Sequence, residues 1–276
     1  KTYYEYDAKG RLAGETVTSS SVGITGNNFL YSSFDVFDSD GNITNNTIKT
    51  QHTFTTNYTF ANNLPSQTKM TSTRKVDFTY DEHDKLLTRT LTTNVPVVEH
   101  FAYNDEDFVS SHTFTHGTNA DIVYSYSYDD NGNITEIKKN NVVQQSYVYD
   151  ANSQLIRENN LDLNKTIVYT YDNGGNIISK KEYAYTTGTP TTLTDTINYS
   201  YGSTWKDKLT SYDGQSITYD AIGNPTNYMG ATMTWFARQM QSYSKGGINV
   251  TYKYDSDGLR TQKVVNGVEH NYYYVG

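Results

Sequence analysis

One phrase governs what this chain can fold into. An aromatic residue followed by aspartate, in most copies with glycine three places further on, returns along the whole length, as in YSYSYDDNGNITEI, YVYDANSQLI, YTYDNGGNII, ITYDAIGNPT and YKYDSDGLRT. Aligned on that aspartate or on its replacement, the marks fall at Asp7, Asp38, Ala61, Asp81, Asn104, Asp129, Asp150, Asp172, Gly202, Asp220, Phe236 and Asp255. Eleven intervals share the 248 residues from Asp7 to Asp255, about 22.5 each, and a period in that range is the signature of a repeat array. Eight marks keep the aromatic–Asp pair: Tyr6-Asp7, Phe37-Asp38, Tyr80-Asp81, Tyr128-Asp129, Tyr149-Asp150, Tyr171-Asp172, Tyr219-Asp220 and Tyr254-Asp255. The other four are degenerate.

Each repeat reads as a hairpin. The residues before the mark alternate with period two (Tyr124, Tyr126 and Tyr128; Tyr147 and Tyr149; Tyr169 and Tyr171; Tyr252 and Tyr254), which sets the rings on one face of a strand. Asp opening a turn, with glycine three places later at Gly10, Gly41, Gly132, Gly175, Gly223 and Gly258, suits a type I turn continued by a left-handed residue. Between these lie tighter pairs, Asn140-Asn141, Asp213-Gly214 and Asn266-Gly267, which tolerate the two positive φ angles of a two-residue hairpin turn. One repeat is then two strands and two unlike turns, and twelve repeats make an all-β chain of about 24 strands in a continuous antiparallel meander. Open twisted sheets rarely exceed about ten strands, so the expected product is a coiled spiral or partial β-shell.

We expect a single array over 1–276. The Thr/Asn-rich region from Thr44 to Thr73 stays inside it, because FANNLPS sits where the period demands a turn. The stretches SSSVGITGNN and TTGTPTTLTD, in the two longest of the regular intervals, read as extended hairpin loops. TWFARQMQSY is the one helical candidate, and it also fits a degenerate repeat. The chain begins at KTYYEYD, already within a repeat, and is expected to be a piece of something longer.

Composition narrows the function classes. Only 35% of residues are hydrophobic, yet 14% are aromatic and 27 are tyrosine, so the apolar surface comes from amphipathic rings whose hydroxyls need partners. A net charge of -8 argues against nucleic acid and against anionic membranes, and no apolar run suits membrane insertion. With no cysteine there are no disulfides, no thiol nucleophile and no Cys-based zinc site.

The usual catalytic frameworks (G-x-S-x-G, the P-loop, G-x-G-x-x-G, H-E-x-x-H) are absent. His112 and His116 mimic a ligand spacing, but residues four apart on a strand lie about 13 Å apart, too far to share a metal. The turn motifs DSDGN and DDNGN resemble calcium loops, but their glycine comes too early; an aspartate bonding its own turn backbone accounts for every copy. No catalytic residue, metal or cofactor is expected. A hydrolase built on one turn aspartate is the weakest reading, and it fails if Asp129→Ala, Asp150→Ala and Asp172→Ala cost equal, modest stability and nothing else. A rival binding reading takes Tyr124, Tyr126, Tyr147, Tyr169 and Tyr252 as platforms that stack sugars; the plainer role for such rings is to ladder across a half-buried sheet.

The phrase Y-D-x-x-G-N-I, its spacing and the run YKYDSDGLRTQKVVNGVEHNYYY resemble the YD-repeat, or Rhs, family: bacterial Rhs and wall-associated polymorphic toxins, the C component of insecticidal toxin complexes, and the teneurins. The resemblance covers nearly the whole chain. It implies repeats wound into a hollow β-cage that encloses a C-terminal toxic segment, or an extracellular adhesion barrel. The implied protein is a non-catalytic shell segment, secreted or on a bacterial surface of Gram-positive type. Its partner would be a C-terminal toxin or cargo segment of the same parent chain. The alternative is a cell-surface carbohydrate-binding or adhesion module, with glycans as partners. The self-cleaving Asp-Pro-x-Gly core of the family has no match here, so neither autoproteolysis nor toxicity carries over to these residues. Bare edge strands would invite edge-to-edge self-association of a fragment.

Overall fold

The computed structural model describes residues 2–18, 29–49, 53–71, 73–272 and 274. Backbone contacts divide the chain into two compact units. One runs to Ser127 and takes up Ile137–Val142, and the other comprises Tyr128–Glu136 and Val143–Tyr274.

The first unit is built from β1 (Thr2–Tyr6), β2 (Leu12–Thr18), β3 (Phe29–Phe37), β4 (Ile43–Lys49), β5 (Thr53–Ala61), β6 (Leu64–Thr71), β7 (Arg74–Tyr80), β8 (Leu86–Thr92), β9 (Val97–Tyr103), β10 (Val109–His116) and β11 (Ile122–Tyr128), with the end of β12 (Ile134–Lys139). Each strand from β1 to β11 pairs antiparallel with the next in sequence. The second unit continues with β13 (Val142–Tyr149), β14 (Leu155–Asn160), β15 (Lys165–Tyr171), β16 (Ile177–Ala184), β17 (Leu193–Tyr201), β18 (Leu209–Tyr212) and β19 (Gln215–Ser216). It ends with β20 (Thr218–Tyr219), β21 (Pro225–Tyr228), β22 (Ala231–Phe236), β23 (Gln239–Lys245), β24 (Ile248–Tyr254), β25 (Arg260–Val265) and β26 (Val268–Asn271). Pairing is again between sequence neighbours, from β13 to β19 and from β20 to β26.

The fold is an all-β antiparallel hairpin meander. Among the described residues the strands number 26 rather than the expected 24 or so, partly because the stretch after the Asp213-Gly214 turn breaks into two two-residue strands flanking Ile217, which is buried. No helix forms among the described residues; TWFARQMQSY becomes β22, a turn and β23, paired from Thr232↔Ser244 to Phe236↔Gln239. SSSVGITGNN lies outside the described residues. TTGTPTTLTD is a loop only as far as Thr192, its last three residues opening β17.

Little apolar surface is sequestered. Among the described residues the buried apolar side chains are Ile167, Ile217, Ala231, Met233 and Val250, while Ser32, Ser33, Asn159, Asn160, Thr166, Glu182 and Asn224 are buried and polar. The sheet is therefore held by its backbone ladder and by pairs across neighbouring strands. One such pair recurs: the residue before the mark aromatic shares a hydroxyl contact with the return strand, as in Thr79–Thr88 (2.6 Å), Thr170–Ser179 (2.6 Å), Thr218–Thr226 (2.8 Å) and Thr234–Ser242 (2.6 Å).

Candidate functional site: the repeat turns and the tyrosine face

The turns share one construction. At Asp129 the backbone N–H donates to the carbonyl of Asn133 (2.9 Å), and the N–H of Gly132 donates to the carbonyl of Asp129 (3.0 Å). The Asp129 carboxylate closes the loop: Oδ1 accepts the N–H groups of Asn131 and Asn133, and Oδ2 accepts the side-chain amide of Asn133. The same bonds recur at Asp38, Asp172 and Asp220 with Asn42, Asn176 and Asn224, and at Asp7 with the Arg11 guanidinium in place of the amide. Asp81, Asp150 and Asp255 hold two backbone N–H groups each. The residue three places after the aspartate has positive φ throughout, between 79° at Gly10 and 96° at Gly41 where it is glycine. Where glycine is missing, Asp84, Asp107 and Ser153 take that conformation, and aspartate and serine are among the residues that turn chemistry admits there. At Tyr6, Phe37, Tyr80, Tyr149, Tyr171 and Tyr254 the turn ends in a bulge, so that these residues oppose Leu12, Ile43, Leu86, Leu155, Ile177 and Arg260 after a register shift.

Of the degenerate marks, only Asn104 keeps this construction; its Oδ1 accepts the N–H of Phe108 at 2.8 Å. Ala61 and Phe236 do not. Asn62-Asn63 and Ala237-Arg238 make two-residue turns instead, since Ala61 and Phe236 have no side-chain acceptor to stabilise a longer one. Gly202 opens a longer loop, closed by Gly202 N–H to Lys208 O (2.8 Å). The tight pairs Asn140-Asn141, Asp213-Gly214 and Asn266-Gly267 have positive φ at both positions, as do Asn62-Asn63, Met229-Gly230 and Gly246-Gly247, which the spacing alone did not single out.

What joins one repeat to the next is the mark tyrosine. Tyr171 donates its hydroxyl to the carbonyl of Leu155 (2.7 Å), the first residue of β14 in the preceding repeat. Pairing of β14 with β15 is registered only from Arg157 onward, so that carbonyl lies beyond the ladder and the phenol satisfies it. Tyr149 to Ile134 (2.9 Å), Tyr103 to Leu86 (2.9 Å), Tyr201 to Ile177 (2.9 Å), Tyr219 to Leu209 (2.5 Å) and Tyr274 to Arg260 (2.8 Å) repeat the bond, always to the first residue of a return strand. Tyr80 reaches Pro65 (2.9 Å), one residue further along. Beside the degenerate mark Phe236, Trp235 substitutes its indole N–H, reaching Pro225 O at 2.7 Å. Cations from the previous turn cover the rings: Arg11 lies over Phe37 (4.3 Å), Lys85 over Tyr103 (5.3 Å) and Lys208 over Tyr219 (4.3 Å).

No family model matches the chain. Over 136 residues, 46% of this chain, it is 38% identical to the tRNA nuclease WapA of Bacillus subtilis (strain 168) and to the tRNA3(Ser)-specific nuclease WapA of Bacillus spizizenii. That stretch is 5% of either relative, so the chain spans only a small part of their length. Among solved structures, 96% of the chain superposes on TcdB2-TccC3 with a TM-score of 0.73 at 16% identity, covering 16% of that chain, and equally well on the Photorhabdus luminescens Tc holotoxin pore. The chain is a YD-repeat array of the Rhs type.

In this YD-repeat array the five tyrosines considered as sugar platforms are all half-buried. Tyr124 has Lys139 over its ring (5.9 Å) and Phe114 against it edge-on, Tyr252 has Arg260 over its ring (4.7 Å), and Tyr147 donates to Gln145. Burial pushes the phenols of Tyr126, Tyr147 and Tyr169 up from their ordinary pKa. Ion pairs stand among the rings, Glu182 between Lys165 and Lys180, and Glu99 gripped by Arg89 at 2.7 and 2.9 Å. His112 bonds Glu99 (2.9 Å) and lies between the rings of Phe101 (4.3 Å) and Phe114 (4.1 Å), a packing role; His116 contacts Asn119. No group of three metal-ligating side chains occurs among the described residues.

The turn carboxylates carry a pH prediction. The Asn133 amide and two backbone N–H groups hold Asp129 below its ordinary 3.8; the Asn176 amide and backbone do so at Asp172, and the Arg11 and Lys85 N–H groups lead at Asp7 and Asp81. At Asp38 and Asp220 burial opposes the shift, and the bonds from Asn42 and Asn224 outweigh it. A carboxylate whose pKa is lower folded than unfolded adds stability above the unfolded value, and that stability is lost as pH falls through the folded one. The urea midpoint is therefore expected to hold from neutrality to about pH 5 and to fall steadily below about pH 4. A midpoint unchanged at about pH 3 would show that the turn bonds contribute nothing.

Proposed function

We propose that this array is a stretch of the β-shell of an exported Rhs-type polymorphic toxin or wall-associated protein, a single wall over 1–276 that encloses a C-terminal toxin or cargo segment of the same parent chain. The observation that carries the reading is the phenol-to-carbonyl staple. In most repeats one side chain aimed at a fixed backbone position binds the neighbour, which is what a wall of indefinite length requires. The wall itself is non-catalytic: the aspartates at its marks are occupied in closing turns. Nuclease activity, in the relatives so named, would belong to some other part of those much longer chains. The Bacillus relatives support placing the parent outside a Gram-positive cell. We rank a glycan-binding adhesion module second, since the rings of Tyr124 and Tyr252 already carry a cation of their own.

The test is limited proteolysis of the intact parent protein. We expect its C-terminal segment to resist protease while the array is folded and to be cut once urea opens it. A segment digested at the same rate in both states removes the container reading.

A further inference from the structure

The first unit holds a cleft of about 630 Å³ whose chemistry differs from the rest of the tyrosine face. Asp35 of β3 stands opposite Asn46 of β4, and Asn46 opposite Thr56 of β5. Tyr58 and Phe60, at alternate positions on β5, bring two rings to the same side as Thr56, while Ile48 closes the cleft.

Asp35 is aimed but not neutralised. The Asn46 amide donates to Asp35 Oδ1 (2.7 Å) and to Ser33 Oγ (3.2 Å), and Ser33 is itself buried, so the carboxylate is fixed in place. Its second oxygen accepts no hydrogen bond among the described residues, nor does the Tyr58 hydroxyl make one. Two other acids of this face are paired, Glu99 with Arg89 and Glu182 with two lysines. The neighbouring cations are taken elsewhere: Arg11 binds Asp7 and covers Phe37, and Lys49 lies over Phe34. A polar annex of about 480 Å³ shares Asn42 and Phe60 with the cleft and adds Asp38 and Asp40, leaving the surroundings negative.

A fixed, unpaired carboxylate beside two aromatic rings is complementary to a cation that carries apolar substituents: the charge meets the carboxylate and the ring faces, and the carbon groups fill the walls. A bare divalent ion would need several more oxygen ligands than this cleft offers. We infer that the cleft formed by Asp35, Asn46, Tyr58 and Phe60 binds an organic ammonium group, quaternary or primary, on an apolar body. The site stands apart from the wall function and does not depend on it.

The probe is choline, set against dimethylbutanol, its neutral carbon isostere, each titrated into the full chain and followed by tyrosine chemical shifts. Choline is expected to saturate and to bind about tenfold or more tightly than the isostere. Asp35→Asn should weaken choline by about tenfold, and Phe60→Leu, which keeps an apolar side chain but not the π face, by several-fold. Equal binding of the two probes, tighter binding of glucose than of choline, or an unchanged affinity in Asp35→Asn would each overturn the assignment. Should Asp35→Asn not fold, the contrast between choline and its isostere on the unaltered chain decides the matter.

Discussion

Thr166→Val is expected to destabilise the chain by about 2 kcal/mol although it preserves the side-chain volume. Thr166 is fully buried, at 0% exposure. Its hydroxyl accepts the N–H of Thr186 (3.0 Å) and faces two acceptors, the carbonyl of Thr186 (2.9 Å) and Asn159 Oδ1 (3.2 Å). Arg157 clamps the same segment from the side, its Nη2 donating to the carbonyls of Thr186 and Gly188. Residues 185–192 are thus a strap lying over β14 and β15 rather than a free hairpin loop. Valine would strand the Thr186 N–H and remove the hydroxyl donor from the Thr186 carbonyl, while Asn159 keeps its bonds to Arg157 and Ser146. Hydrogen exchange at Thr186 and Gly188 should accelerate together with the loss of stability. A loss below about 0.5 kcal/mol, with exchange unchanged, would mean that the strap is held by something other than this hydroxyl.

The second large effect concerns the staples. Removing the hydroxyls of Tyr149, Tyr171 and Tyr201 together, by substitution with phenylalanine, is expected to cost about 3 kcal/mol, near 1 for each bond. Additivity follows because the three bonds lie in successive repeats with no shared partner, and repeats that touch only their neighbours contribute independently. Tyr199→Phe supplies the control. Its ring packs edge-on against Tyr212 (5.3 Å), and its hydroxyl makes no bond among the described residues, so the loss should be close to zero. Urea unfolding of the three variants decides it: if the triple variant loses no more than Tyr171→Phe alone, or if Tyr199→Phe loses as much as Tyr171→Phe, the staple is not what joins the repeats.

These two effects differ in how far the sequence discloses them. The turn is legible because all its partners lie within four residues: the Asp129 carboxylate reaches only to Asn131 and Asn133, and Gly132 supplies the positive φ. The staple is half legible. The aromatic at the mark is plain, but its acceptor lies 15 or 16 residues back at Tyr149 and Tyr171, and 24 back at Tyr201. No local pattern names a backbone carbonyl. The strap over Thr166 and the cleft at Asp35 leave no mark on the repeat at all, since a polar residue on a strand looks the same whether water or a loop covers it.

By itself the sequence determined the period, the alternation that puts tyrosines on one face, and the turn chemistry at the marks where an Asp or Asn side chain closes the loop, because each depends on neighbours a few bonds away. Tertiary structure alone decided that Ala61 and Phe236 turn in two residues, that Trp235 stands in for a tyrosine, that residues 185–192 fold back, and that Asp35 is left without a cation. Those outcomes rest on which strand lies beside which and in what register, and register is a property of the assembled sheet.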